Sequence, residues 1–362
     1  LEHLLFEGTE LFPSFDEPLE AAGGDSNAYT NNDFTNYFIS LPRRNAELAF
    51  CMEADRMCNI SLDEEKVDVQ RQVVMEEFKQ GHLNKPYGDV SMLMRKIAFK
   101  KHPYRWSTIG RKLSHIADVP VEVVRDFYHR HYVPSNAVLA VVGNVSFEQV
   151  KEWTIKWFGE IPARECAKRE IPSEPRQRRR RTAVVQRNVP DDALYMAFHM
   201  DGFNGRDYYP CDVISDILAN GYSGRLSERL LKKKKLFTRI DAFISNNEHD
   251  GLFWIYSRLA KGVSFERAEA AIRGELELLQ QKLVPRSELD KVRNRFESEQ
   301  VFNSLSGANF AANLALAEWY GDVSRAWRET EMYRAVTAED VKRVAGELFR
   351  DGNASVLYYK KK

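Results

Sequence analysis

The feature that most limits how this chain can fold is a resemblance of the chain to itself at an interval of 217 residues. Val119-Pro-Val-Glu122-Val-Val124-Arg125 leads, seventeen residues after Val119, to Asn136-Ala137-Val138-Leu139. Val336-Thr-Ala-Glu339-Asp-Val341-Lys342 leads, at the same distance, to Asn353-Ala354-Ser355-Val356-Leu357. Each copy predicts a helix with an acidic first turn, a short loop and an apolar strand. Two aromatic and β-branched runs, 35–41 and 252–258, share the offset and predict strands. Helices are expected after them, over 45–57 and 265–279, and again over 63–80 and 286–302. Three matches in register make a duplicated unit the economical reading. The expected class is α+β, with two similar domains, each an antiparallel β-sheet packed with helices on one side.

A chain of 362 residues suits two domains, since single cores seldom grow beyond about 250–300 residues. The division expected is 1–160, a linker at 161–182, and 183–362. The linker carries Pro162, Pro172, Pro175 and the run Arg178 to Arg181, which reads as a solvated basic stretch. Lys+Arg and Asp+Glu both total 53, so no global charge favours nucleic acid. No apolar run approaches the roughly 20 residues of a membrane helix. A soluble chain, cytoplasmic or periplasmic, is expected. Four cysteines without a CxxC pair make no disulfide scaffold. Cys51 and Cys58, seven apart, read as core thiols on one helix face.

The residues that carry chemistry open the chain. Glu2-His3-Leu4-Leu5-Phe6-Glu7-Gly8 predicts a short helix stopped by Gly8. Taken alone, a Glu-His pair is far more often a surface or cap feature than a catalytic one. Likewise, Glu76-Glu77 alone reads as an acidic helix surface. Residues 1–9 as a whole, with Thr9 closing the stretch, resemble the inverted zinc motif His-x-x-Glu-His of the pitrilysin-type metallopeptidases. Among these the chain is most similar to half-length bacterial members and to the β subunit of the mitochondrial processing peptidase. The resemblance spans nearly the whole chain. It implies that His3 is a zinc ligand and Glu2 the general base, the first histidine lying two residues before Leu1. Arg71-Gln72-Val73-Val74-Met75-Glu76-Glu77 matches the stretch that brings the third ligand, which implies Glu77. Asn27-Ala28-Tyr29 matches the edge strand along which an extended substrate backbone pairs. His102-Pro103-Tyr104 is expected to be a structural turn.

The second half shows no counterpart of Glu2, His3 or Glu77. Where relatives place a substrate-contacting Arg and Tyr, this chain has Leu231 and Thr238. The resemblance implies zinc as cofactor and a clamshell chamber for peptides or unfolded polypeptides. It implies a homodimer, or a heterodimer with a related non-zinc subunit. No nucleic acid is expected. The competing expectation is an inactive scaffold subunit of the same fold, which predicts broken ligands.

Overall fold

A computed structural model describes residues 1–164, 166, 170–221 and 223–362. After a 3-10 turn at His3–Phe6, the chain forms α1 (Asp16–Ala21), β1 (Asp25–Thr30), β2 (Thr35–Ser40), α2 (Ala46–Cys58) and α3 (Glu64–Phe78). Next come α4 (Val90–Ala98), α5 (Leu113–Ala117), α6 (Val121–His131), α7 (Phe147–Phe158), β3 (Arg181–Arg187), β4 (Ala193–Met200) and α8 (Tyr208–Ala219). The remainder is β5 (Phe237–Ile244), β6 (Gly251–Leu259), α9 (Phe265–Gln281), α10 (Arg286–Ser304), α11 (Gly307–Trp319), α12 (Arg325–Ala335), α13 (Ala338–Leu348) and β7 (Ala354–Lys361).

Two compact units result, and neither is continuous in sequence. One comprises Leu1–Gln80, Thr108–Glu170 and Phe302–Ala326; the other comprises Gly81–Ser107, Ile171–Val301 and Trp327–Lys362. The reason that 81–107 joins the later residues is the apolar stripe of α4. Val90, Met94 and Ala98, with Phe99, share one core with Tyr195, Trp254, Leu357 and Tyr359.

The second unit is built on a sheet of order β3-β7-β4-β6-β5, antiparallel except for the parallel pair β3–β7. Its central strand β4 runs Ala193-Leu194-Tyr195-Met196-Ala197-Phe198, apolar at both parities, and all six residues are buried. Such a strand must be covered on both faces. Helices therefore lie on two sides of this sheet, not one. The odd-numbered side chains of β4 meet α4, while Phe198 meets Phe349 just past α13.

The first unit holds the hairpin β1–β2, registered Asn27↔Phe38 and Ala28↔Tyr37. The strand expected at 136–139 does not form: Pro134–Asn136 is a 3-10 turn, and 137–142 belongs to no helix or strand. Its repeat counterpart β7 is bonded on both sides, by β3 and β4.

Two smaller expectations are also corrected. Cys58 ends α2 exposed to solvent, so it is no core thiol, and Cys51 is only half-buried. The run Arg178 to Arg181 is not uniformly solvated. Arg180 pairs with Glu269 at 2.7 Å and Arg181 donates to the backbone carbonyl of Ile97 at 3.2 Å, because β3 begins at Arg181 and draws both side chains against its unit.

Candidate active site

Leu4 and Leu5 are the apolar anchor of the opening turn. They are buried with Leu62, Val67, Val121 and Tyr128. The polar residues either side of them are thereby held at the surface. Gly8 ends the turn at φ +83°, and a Cβ there would sit 2.4 Å from the carbonyl oxygen of Phe12. Only glycine fits that backbone without displacement. Thr9 then bonds Asp55 on α2 through its hydroxyl. Beneath the turn lies Arg56, 4% exposed, paired with Glu53 and stacked over Phe15 at 4.3 Å and Tyr37 at 4.5 Å. Tyr37 hydrogen-bonds Tyr132 at 2.8 Å; burial raises both phenols, Tyr37 well above its ordinary range.

On this platform the structure brings several of the sequence-selected residues together. His3 Nε2 lies 3.7 Å from Glu77 Oε2 on α3, with side chains 35% and 58% exposed. Glu76 turns away and meets Lys79 instead, at 3.4 Å. Glu2, next to His3, accepts a hydrogen bond from Thr30 Oγ1, the last residue of β1. Asn27, Ala28 and Tyr29 lie on that strand. β1 pairs with β2 alone, so its other edge carries no strand among the described residues. The Ala28 N–H is met by the Asn27 side-chain oxygen at 2.8 Å.

Leu231 lies in the π-helical turn Ser227–Lys233 of the other unit, and Thr238 on β5. Next to Leu231, Lys232 and Lys233 pair with Glu228, so these two charges are partly neutralised. His102 is buried and accepts from the Tyr104 N–H at 3.1 Å, a turn-forming role. Sequence reasoning assigned no role to Thr30, Glu7 or Gln70, and read Asp55 and Arg56 as part of a structural helix. Of these only Gln70 carried a legible signal, being two helical turns before Glu77 and so on its face.

Imidazole nitrogen and carboxylate oxygen are both donors that zinc accepts. Two ligands of one tetrahedral zinc stand about 3.4 Å apart. The His3–Glu77 separation of 3.7 Å fits that requirement. Among the described residues no group of three His, Cys, Asp or Glu side chains is arranged to hold a metal, so two donors are assembled here. No helix among those residues is long and apolar enough to cross a membrane.

Residues 1–112 match the family described as Insulinase (Peptidase family M16), and residues 118–296 match the Peptidase M16 inactive domain. The chain belongs to the M16 peptidase family. The Zinc protease PqqE of Helicobacter pylori is 28% identical over 367 residues, covering 99% of this chain and 82% of that protein. An Arabidopsis thaliana protein named "Probable mitochondrial-processing peptidase subunit beta, mitochondrial" is 24% identical over 378 residues, covering 98% and 69%. The crystal structure of a protease from Helicobacter pylori superposes with a TM-score of 0.92 at 27% identity, covering 99% of this chain and 88% of that one. A peptidase M16 inactive domain from Pseudomonas fluorescens shares the fold, with a TM-score of 0.88 at 17% identity over 100% and 87% of the two chains. The duplicated M16 architecture is thus the frame that carries the site.

Proposed function

We propose that this M16 chain is a zinc-dependent endopeptidase acting on short peptides or unfolded polypeptides. The observation that carries the reading is His3 Nε2 lying opposite Glu77 Oε2, with Glu2 next to His3 along the chain and bonded by Thr30. His3 and Glu77 would hold the metal. When bound, zinc supplies Lewis acidity at the scissile carbonyl. The Glu2 carboxylate takes the proton of the attacking water and delivers it to the leaving amine. Thr30 holds that carboxylate in place through its hydroxyl. The substrate extends along Asn27-Ala28-Tyr29, where backbone hydrogen bonds give affinity with little sequence preference. For Ala28 to take part, the Asn27 side chain must first release its N–H.

The two homologous halves are proposed to divide near 161–182. The second half, with Leu231 and Thr238 in the places noted above, would act as chamber wall. A second copy, or a related non-zinc subunit, would close the chamber. A scaffold without activity is the second reading; the match of residues 118–296 to the Peptidase M16 inactive domain favours it, and the intact Glu2, His3 and Glu77 speak against it. Incubating the full-length protein with a pool of unstructured peptides and with a folded protein tests the proposal. Chelator-sensitive cleavage of the peptides alone is the expected result. Absence of cleavage in a zinc-loaded sample, with or without an added related subunit, would favour the scaffold.

A further inference from the structure

α3 presents Lys66, Gln70 and Glu77 to the opening turn; four and seven residues apart, they fall on one helical stripe. Lys66 Nζ donates to the Glu7 carbonyl oxygen at 3.2 Å. Gln70 uses both ends of its amide. Its Nε2 donates to the Glu7 carboxylate, and its Oε1 lies 3.2 Å from His3 Nδ1. A carboxylate can only accept, so Glu7 fixes which end of the amide faces it and which faces His3. The end facing His3 is a carbonyl oxygen, also an acceptor only. Nδ1 must therefore carry the proton. Glu77 Oε2 is an acceptor too, but at 3.7 Å from Nε2 it is beyond hydrogen-bond reach, so the Gln70 contact sets the tautomer and in the neutral ring the lone pair is on Nε2, the atom that faces Glu77.

We propose that Gln70, held by Glu7, is a positioning residue that locks His3 in its Nδ1–H tautomer and aims the Nε2 lone pair toward Glu77 as a metal donor. The proposal rests on the zinc reading given above. A histidine side chain free in water prefers the opposite tautomer, which would place the proton on the donor nitrogen. A partner that fixes the ring and its tautomer changes metal affinity by about 10–100-fold. Gln70 acts through His3 and touches no substrate.

The experiment is nitrogen-15 NMR of histidine-labelled, metal-free protein at about pH 8.5, where imidazoles are neutral. The His3 signals are assigned by their loss in His3→Asn. Zinc affinity is measured beside it. The wild type should show a protonated Nδ1 and an unprotonated Nε2. Gln70→Leu should move the balance toward Nε2–H and weaken zinc binding about 10–100-fold. Gln70→Glu loses the donor to Glu7 but still offers His3 an acceptor, and should keep the wild-type tautomer. An Nε2–H signal in the wild type overturns the proposal. So does a Leu variant with unchanged tautomer and affinity. A wild type with the expected tautomer that binds no zinc overturns the zinc reading, and the donor role with it; a wrong tautomer in a zinc-binding protein overturns the positioning role alone.

Discussion

Asp216 on α8 offers the sharpest quantitative test of the second unit. Its side chain is 8% exposed and meets Arg295 at 3.5 Å. One oxygen also accepts from Asn220; the other is buried with no hydrogen-bond partner. Burial, only partly offset by Arg295 and reinforced by Asp212 and Glu299, lifts this carboxyl from 3.8 to about 7. Its folded value is above its unfolded value, so its contribution is complete below about pH 4 and is lost as pH rises through 7. Full ionisation costs the folded state about 4 kcal/mol, of which about 2–3 kcal/mol falls between pH 5 and 8. Asp216→Asn keeps the shape and the acceptor for Asn220 but cannot ionise. Urea unfolding at both pH values, with amide exchange of α8 as a local readout, should show the variant losing about 2–3 kcal/mol less over this interval. It should also be the more stable protein at pH 8. Equal pH slopes in the two proteins would refute the reasoning.

Three further outcomes follow from the first unit. Gly8→Ala forces a left-handed backbone and a clash with Phe12, and should lower stability by about 2 kcal/mol or more in thermal melts, with weakened zinc binding. Arg56→Met removes the cation from Glu53 and from the rings of Phe15 and Tyr37; a loss of about 2–3 kcal/mol is expected, and an unchanged melting temperature would deny the arginine its platform role. Ala28→Pro removes one edge N–H; KM for peptides should rise up to about tenfold while zinc affinity stays constant, and an unchanged KM would place the substrate elsewhere.

The repeat at 217 residues was legible because helix and strand periodicities survive duplication: 252–258 and 265–279 lie within β6 and α9. The discontinuous units were not legible. The stripe Val90, Met94 and Ala98 announces a buried helix face but not which sheet covers it, since any apolar face satisfies it equally. The strand expected at 136–139 failed for a related reason. Its apolar pattern matches β7, yet a strand exists only where partners bond it, and pairing is a property of the whole sheet. At the site, Glu2, His3 and Glu77 were chosen from the motif. Gln70 and Glu7 were not: spacing puts Gln70 on the face of Glu77, but the relay from Glu7 through Gln70 to His3 depends on side-chain placement that spacing does not encode. Arg180 and Arg181 looked solvated for the same reason, their partners Glu269 and Ile97 being distant in sequence.

Zinc-dependent turnover tests the central claim most directly. Full-length protein is stripped with chelator, zinc is returned in steps, and peptide cleavage is followed beside Glu2→Gln. The account predicts recovery in proportion to zinc up to about one ion per chain, and a variant that binds the ion equally but does not cleave. Cleavage that survives stripping, or a Glu2→Gln protein as active as the wild type, would contradict it.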